Sequence, residues 1–253
     1  MATKRKTTRL RKGEILDIEE YHDGRYGAPG MPRQKKRKPT KEEMQRVNDM
    51  NRTRKCRLML LQYFSHGDYF LTWTYRVADR PGDMAAALKD FQKAIRWVRD
   101  QYKRRGSPLR WIRNIERGTK GAWHIHLVVN RIPGAADILE EAWIHGGTYI
   151  TEVKKSPYYD EDFSKLASYI TKSEKSREKK ADGSQAKPRI REASYNHSRN
   201  MTLPKPHVDK LRRWKKEAKP KKGYYIAKIY EGINPVTGYK YRRYTLIRLH
   251  RRI

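Results

Sequence analysis

His124-Ile125-His126 and, farther along, Tyr169-Ile170-Thr171-Lys172 are the residues of this chain whose types and spacing could do chemistry. Two histidines two apart on a β-strand project from the same face and can share one divalent ion. A tyrosine with a lysine three residues later, at helical spacing, offers a phenol and a cation on one side of a helix. Together they suit attack of a phenol oxygen on a phosphate that a metal ion polarises. Each motif alone also arises by chance. A His-x-His pair can be plain sheet surface, and a tyrosine beside a buried stripe is often only an aromatic flanking the core. A second Tyr-x-x-Lys, Tyr225–Lys228, falls in a terminal strand and reads as structural.

The background charge favours a phosphate substrate. Lys and Arg number 60 against 28 Asp and Glu, a formal net charge of +32 in 253 residues. That surplus attracts a polyanion, and nucleic acid is the commonest one. No stretch approaches the ~20 apolar residues of a membrane-spanning helix. The basic opening MATKRKTTRLRK lacks the apolar centre of a secretory signal. Cys56 is the only cysteine, which excludes intramolecular disulfides and cysteine-built zinc modules and fits a cytoplasmic protein.

The elements that must position these residues follow from periodicity. Thr40 and Glu43 form a capping box ahead of a helix over about 41–62. Tyr69–Tyr75 reads as a strand. Asp83 caps a helix whose apolar residues Met84, Ala87, Leu88, Phe91, Ala94, Ile95, Val98 and Tyr102 repeat every 3.6 residues. Strands follow at Leu109–Glu116 and Ala122–Asn130, then a helix over about 135–145 and a strand at Thr148–Val153. A helix over about 159–173 buries Phe163, Leu166, Ala167 and Ile170. The order is that of an α+β fold: an antiparallel sheet with a split β-α-β-β-α-β core, ferredoxin- or RRM-like, with helices on one face and the other free for a site. Three segments result: a basic, irregular, flexible arm over 1–41, a catalytic domain over 42–200, and an extension over 201–253. The extension comprises a basic helix at about 207–218, with Arg212 and Arg213, and a C-terminal β-hairpin. Residues 173–192 are charged and read as a linker.

Ile125 and Leu127 face the helices, so the histidines face the opposite side. A three-residue turn, Thr119-Lys120-Gly121, pairs Gly118 with Ala122 and Glu116 with His124. Opposed side chains on one face lie ~5 Å apart at Cβ, which makes Glu116 the third candidate ligand. A two-residue turn would send Glu116 to the wrong face. Imidazole with carboxylate suits Mn²⁺ or Mg²⁺, and Zn²⁺ is also admitted. A tyrosine of ordinary pKa ≈ 10 is a poor nucleophile; Lys172 and a metal-polarised phosphate would assist it.

The order Phe70-Leu71-Thr72-Trp73-Thr74, Glu116 with His124-Ile125-His126, then Tyr169-Ile170-Thr171-Lys172 resembles the rolling-circle replication initiators of the HUH endonuclease superfamily. It looks most like the single-tyrosine Rep proteins of bacterial plasmids, phages and integrated elements. The resemblance covers about 65–200 and implies the same split βαβ sheet, metal binding by His124 and His126, a covalent DNA link through Tyr169, and phosphate orientation by Lys172. Asn196–Asn200 is similar to a segment after the tyrosine helix, which implies DNA contacts for Arg199 and Asn200. Lys120, Arg212 and Arg213 are further candidates. The position one turn before Tyr169 is Lys165, so a second nucleophilic tyrosine is not expected.

The implied activity is metal-dependent, sequence-specific nicking of single-stranded DNA at an origin hairpin, with a 5′-phosphotyrosine intermediate and rejoining. A host helicase would unwind the DNA, since no Gly-x-x-x-x-Gly-Lys-Ser/Thr is present. A conjugative relaxase or single-strand transposase would use the same chemistry. A non-enzymatic, basic nucleic-acid-binding protein with an RNA-recognition-like sheet is the third reading.

Overall fold

The computed structural model describes residues 3–22, 38–118, 122–172, 195–211, 214–233 and 240–249. They form four helices and two antiparallel five-stranded sheets, an α+β fold. The chain divides into two compact units, Asp49–Thr202 and Met1–Asn48 with Leu203–Ile253. Among the described residues no helix is long and apolar enough to cross a membrane.

The unit 49–202 holds the split βαβ core. Its elements are β3 (Tyr69–Thr74), α2 (Met84–Arg104), β4 (Trp111–Arg117), β5 (Trp123–Val129), α3 (Ala135–Glu141) and β6 (Thr148–Glu152). The strand order β6-β3-β5-β4 continues to an edge strand, β7 (Tyr195–His197). Asp83 accepts from the Ala86 amide and caps α2. The apolar stripe of α2 and the Ile138 and Leu139 side chains of α3 pack on Leu71, Trp73, Ile115, Ile125 and Leu127. Trp73 stacks on Trp143 with centroids 4.9 Å apart, and its indole N–H donates to Leu139 O. Both crossover helices therefore lie on one face.

The opposite face is not left bare as predicted. Two further helices, α1 (Lys41–Tyr63) and α4 (Ser164–Ile170), pack against its side chains. Phe70, Ile112 and Val128 point to that side and are buried. The α4 residue Tyr169 meets Phe70 edge-on at 6.0 Å. Cys56 of α1 lies against Tyr195 of β7. The physical reason is the apolar C-terminal half of α1, where Cys56 and Leu58–Leu61 are buried and need a surface to cover. The capping box at its start forms, with Glu43 Oε2 accepting from the Thr40 amide.

The other unit corrects two expectations. Where an irregular arm was predicted over 1–41, β1 (Thr3–Leu10) and β2 (Ile15–His22) form an antiparallel hairpin. Where a basic helix was predicted over 207–218, His207–Leu211 is β8, paired with β1. The predicted terminal hairpin is present as β9 (Tyr224–Ile233) and β10 (Lys240–Arg248). The sheet order is β8-β1-β2-β10-β9. Charge explains the closure of this sheet. Glu19 and Glu20 of β2 stand opposite Arg243 and Arg242 of β10, with ion-pair distances of 2.9 and 3.3 Å. Arg5 of β1 reaches Glu20 at 2.6 Å. Several basic residues that read as a free cationic surface are thus neutralised inside a sheet. Arg212 and Arg213 lie outside the described residues, as do the predicted linker and its surroundings, 173–194.

Candidate functional site

Strand register brings the chemistry-bearing side chains together. On β5, His124 and His126 alternate with the core residues Ile125 and Leu127, so both imidazoles leave from the face opposite α2 and α3. On β4, Glu116 pairs with His124, and the Gly118 amide donates to Ala122 O at 2.7 Å. That is the register a three-residue turn requires. The turn residues, including Lys120, lie outside the described residues. Gly118 also clears room beside the ring: a Cβ there would come within 3.3 Å of His124 Nε2.

His126 is the hub. Its Nε2 lies 3.0 Å from Glu116 Oε1 and 3.0 Å from the Tyr169 hydroxyl. Its Nδ1 lies 2.9 Å from Thr72 Oγ1. Thr72 pairs with His126 across β3 and β5 and orients the imidazole from behind. Such orientation of a ring by the partner of its other nitrogen is what ligand and proton-transfer histidines need. The His124 and His126 rings run nearly parallel, centroids 6.3 Å apart. Burial, with His126 and Arg80 adding to it against Glu116, holds His124 below its ordinary value, so its imidazole is neutral at neutral pH.

Tyr169 reaches this hub from α4. Leu166, Ala167 and Ile170 anchor the helix as the sequence predicted, each buried, with Phe163 buried at its start. Phe163 takes a left-handed φ of 57°, and the Asp162 carboxylate caps the Ser164 amide and pairs with Arg57 of α1. At the far end Thr171 donates to Ala167 O and meets Thr53 Oγ1 at 2.7 Å. Held at both ends, the helix leaves Tyr169 at the rim of its buried stripe. Tyr158 stacks on the phenol ring, centroids 3.7 Å apart and planes 18° from parallel. Position 165, one turn earlier, is an exposed lysine.

Not every candidate joins the hub. The helix ends at Ile170 with Thr171 as its cap, so Lys172 lies beyond it rather than on the phenol's face. Its amide donates to Tyr169 O, while its ammonium makes no hydrogen bond or ion pair among the described residues. Arg199 and Asn200 follow β7 and line a groove with α2. Tyr225 and Lys228 sit on β9, in the other unit. Sequence reasoning missed Thr72 and Tyr158. Thr72 was legible, since it shares a face with the histidines at strand parity. Tyr158 belongs to an irregular segment with no periodicity to place it.

The donor set of His124, His126 and Glu116 is chemically suited to a divalent ion, on one face and in adjacent register positions. It is not closed around a point. Among the described residues no three His, Cys, Asp or Glu side chains converge as a ready-made metal cage, because Glu116 engages His126 and His124 stands one pleat away.

Residues 68–174 match a family model of replication-associated proteins, the ORF2 family. The match takes in β3 through α4 with Glu116, His124, His126 and Tyr169, and it is consistent with a rolling-circle replication initiator. No curated protein and no solved structure matches the chain.

Proposed function

We propose that this protein nicks single-stranded DNA at a replication origin by transesterification through Tyr169, and rejoins strands by the reverse step. The observation that carries the reading is the placement of the Tyr169 hydroxyl 3.0 Å from His126 Nε2, with Glu116 on the same nitrogen. The phenol oxygen attacks phosphorus in line with the 3′ oxygen of the preceding nucleotide. A Tyr–O–P bond forms, the P–O3′ bond breaks, and the DNA keeps a 5′-phosphotyrosine. The phenol proton has a neighbouring acceptor in His126, and the departing 3′ oxygen takes up a proton. One ester replaces another, so no outside energy source is required and the 3′-hydroxyl can attack again to reseal the strand.

His124, His126 and Glu116 would hold a divalent ion, Mn²⁺ or Mg²⁺ (Zn²⁺ is compatible), which when bound supplies Lewis-acid polarisation of the phosphate. Thr72 keeps the His126 ring turned toward the phenol, and Tyr158 confines the phenol ring to one orientation. Lys172, just past the helix end, is available to steady a phosphate that spans the site.

Replication initiation is preferred over conjugation or transposition because the family match names a replication-associated protein. The non-enzymatic reading needed an open RNA-recognition-like sheet; α1 and α4 occupy that face. The test is incubation of the protein with random-sequence single-stranded DNA and Mn²⁺, followed by sequencing of the covalently captured fragments. A preferred cleavage site and a protein–DNA adduct that Tyr169→Phe abolishes are expected. An adduct that survives Tyr169→Phe removes the nucleophile assignment.

A further inference from the structure

We infer that the groove between α2 and the β4–β7 edge is a second nucleic-acid site, which grips the phosphodiester backbone on the face of the sheet opposite Tyr169. Parity places it there. Trp111 and Arg113 of β4 line the groove and belong with Ile115 to the set facing α2, whereas Glu116 faces the histidines.

Its chemistry is that of a strand-binding cleft. Arg96, Arg99, Lys103, Arg113 and Arg199 line it, and among the described residues no carboxylate does. The three α2 cations are exposed and recur along one side of the helix, at steps of three and four residues. Leu88, Phe91, Ile95 and Trp111 make an apolar floor beneath the cationic rim. Rim cations over an aromatic floor suit alternating phosphates and sugars or bases.

Two buried groups sharpen the case. Arg113 is 2% exposed, with its guanidinium 4.9 Å over the Phe91 ring. A cation held in so dry a place gains from an anion brought to the groove. The Trp111 indole N–H, also buried, has no hydrogen-bond acceptor among the described residues. Asn200 is fixed at the mouth by donating to Leu109 O at 2.9 Å.

The groove does not rest on the tyrosine chemistry, so its test is a binding assay on the whole protein with EDTA present to silence cleavage. Two triple variants are compared: Arg96→Ala/Arg99→Ala/Lys103→Ala in the groove, and Lys89→Ala/Lys93→Ala/Arg104→Ala, which removes the same charge from the rest of α2. Alanine preserves the helix, which circular dichroism verifies. Fluorescence anisotropy follows a single strand and a duplex of about 20 nucleotides across salt concentration. The groove variant should lose about tenfold or more in affinity for at least one form. The slope of log K against log salt should shrink by ~2 for single strands or ~3 for duplex, whichever form the groove takes. The control variant should lose far less. Equal losses in the two variants would reduce the groove to part of a diffuse charge, and no loss in either would abolish the assignment.

Discussion

Tyr158 lies flat against Tyr169, 3.7 Å between ring centroids. The contact fixes a side chain that the short helix α4 otherwise anchors only at its Cα, and it turns the phenol hydroxyl to His126. An offset aromatic stack contributes ~0.5–1.5 kcal/mol beyond its buried area. Tyr158→Ala should therefore slow single-turnover adduct formation about tenfold or more, by loosening the nucleophile. Tyr158→Phe keeps the stack and should retain the rate. Equal loss in both would point to the Tyr158 hydroxyl instead.

His126 has three partners and should tolerate nothing. His126→Ala is expected to remove ion-dependent cleavage while leaving DNA affinity within a few-fold. Glu116→Gln keeps the shape but loses the charge, and should weaken Mn²⁺ binding about tenfold in calorimetry. Unchanged Mn²⁺ affinity in Glu116→Gln would take the carboxylate out of the ligand set.

Thr72→Val removes the oxygen 2.9 Å from His126 Nδ1 at nearly constant volume. The imidazole then loses the partner that selects its tautomer. A five- to tenfold fall in the cleavage rate (about 1–1.4 kcal/mol) is expected with DNA affinity unchanged, read in single-turnover assays.

Cys56 is fully buried, and burial pushes its thiol up to about 12 from an ordinary 9.0. The neutral thiol is the favoured form. This contribution to stability is complete below the ordinary value and is lost as pH climbs toward about 12. A thiol reagent at about pH 8.5 should leave the native protein unlabelled and react once denaturant unfolds it. Rapid labelling of native protein would contradict the packing of α1 on β7.

In the terminal sheet, Arg242 has no solvent exposure and relies on Glu20, itself 3% exposed, at 3.3 Å. Tyr244 donates to the same carboxylate, and the Arg242 guanidinium lies 4.8 Å over Trp214. Glu20→Ala leaves a buried cation without its counter-charge and should cost ~3–5 kcal/mol, measured by denaturant unfolding. A loss below 1 kcal/mol would mean that water or backbone carbonyls already satisfy the arginine.

What the amino-acid order determined by itself was local. The 3.6-residue stripe of α2, the alternation through His124 and His126, and the turn length that sets Glu116 opposite His124 all involve neighbours within a dozen or so residues. Backbone sterics and burial decide such features with little help from the rest of the chain. Tertiary structure decided the remainder. Strands β1 and β2 find β8 and β10 some 200 residues away. No periodicity records that pairing, and the basic runs disguised it as a flexible arm. His207–Leu211 became a strand because an unpaired edge of β1 was available, which outweighs helix propensity. The placement of Tyr169 beside His126, with Tyr158 stacked on it, likewise required α4 to close over a sheet face that strand order alone leaves empty, because side chains distant in sequence meet only when helices pack.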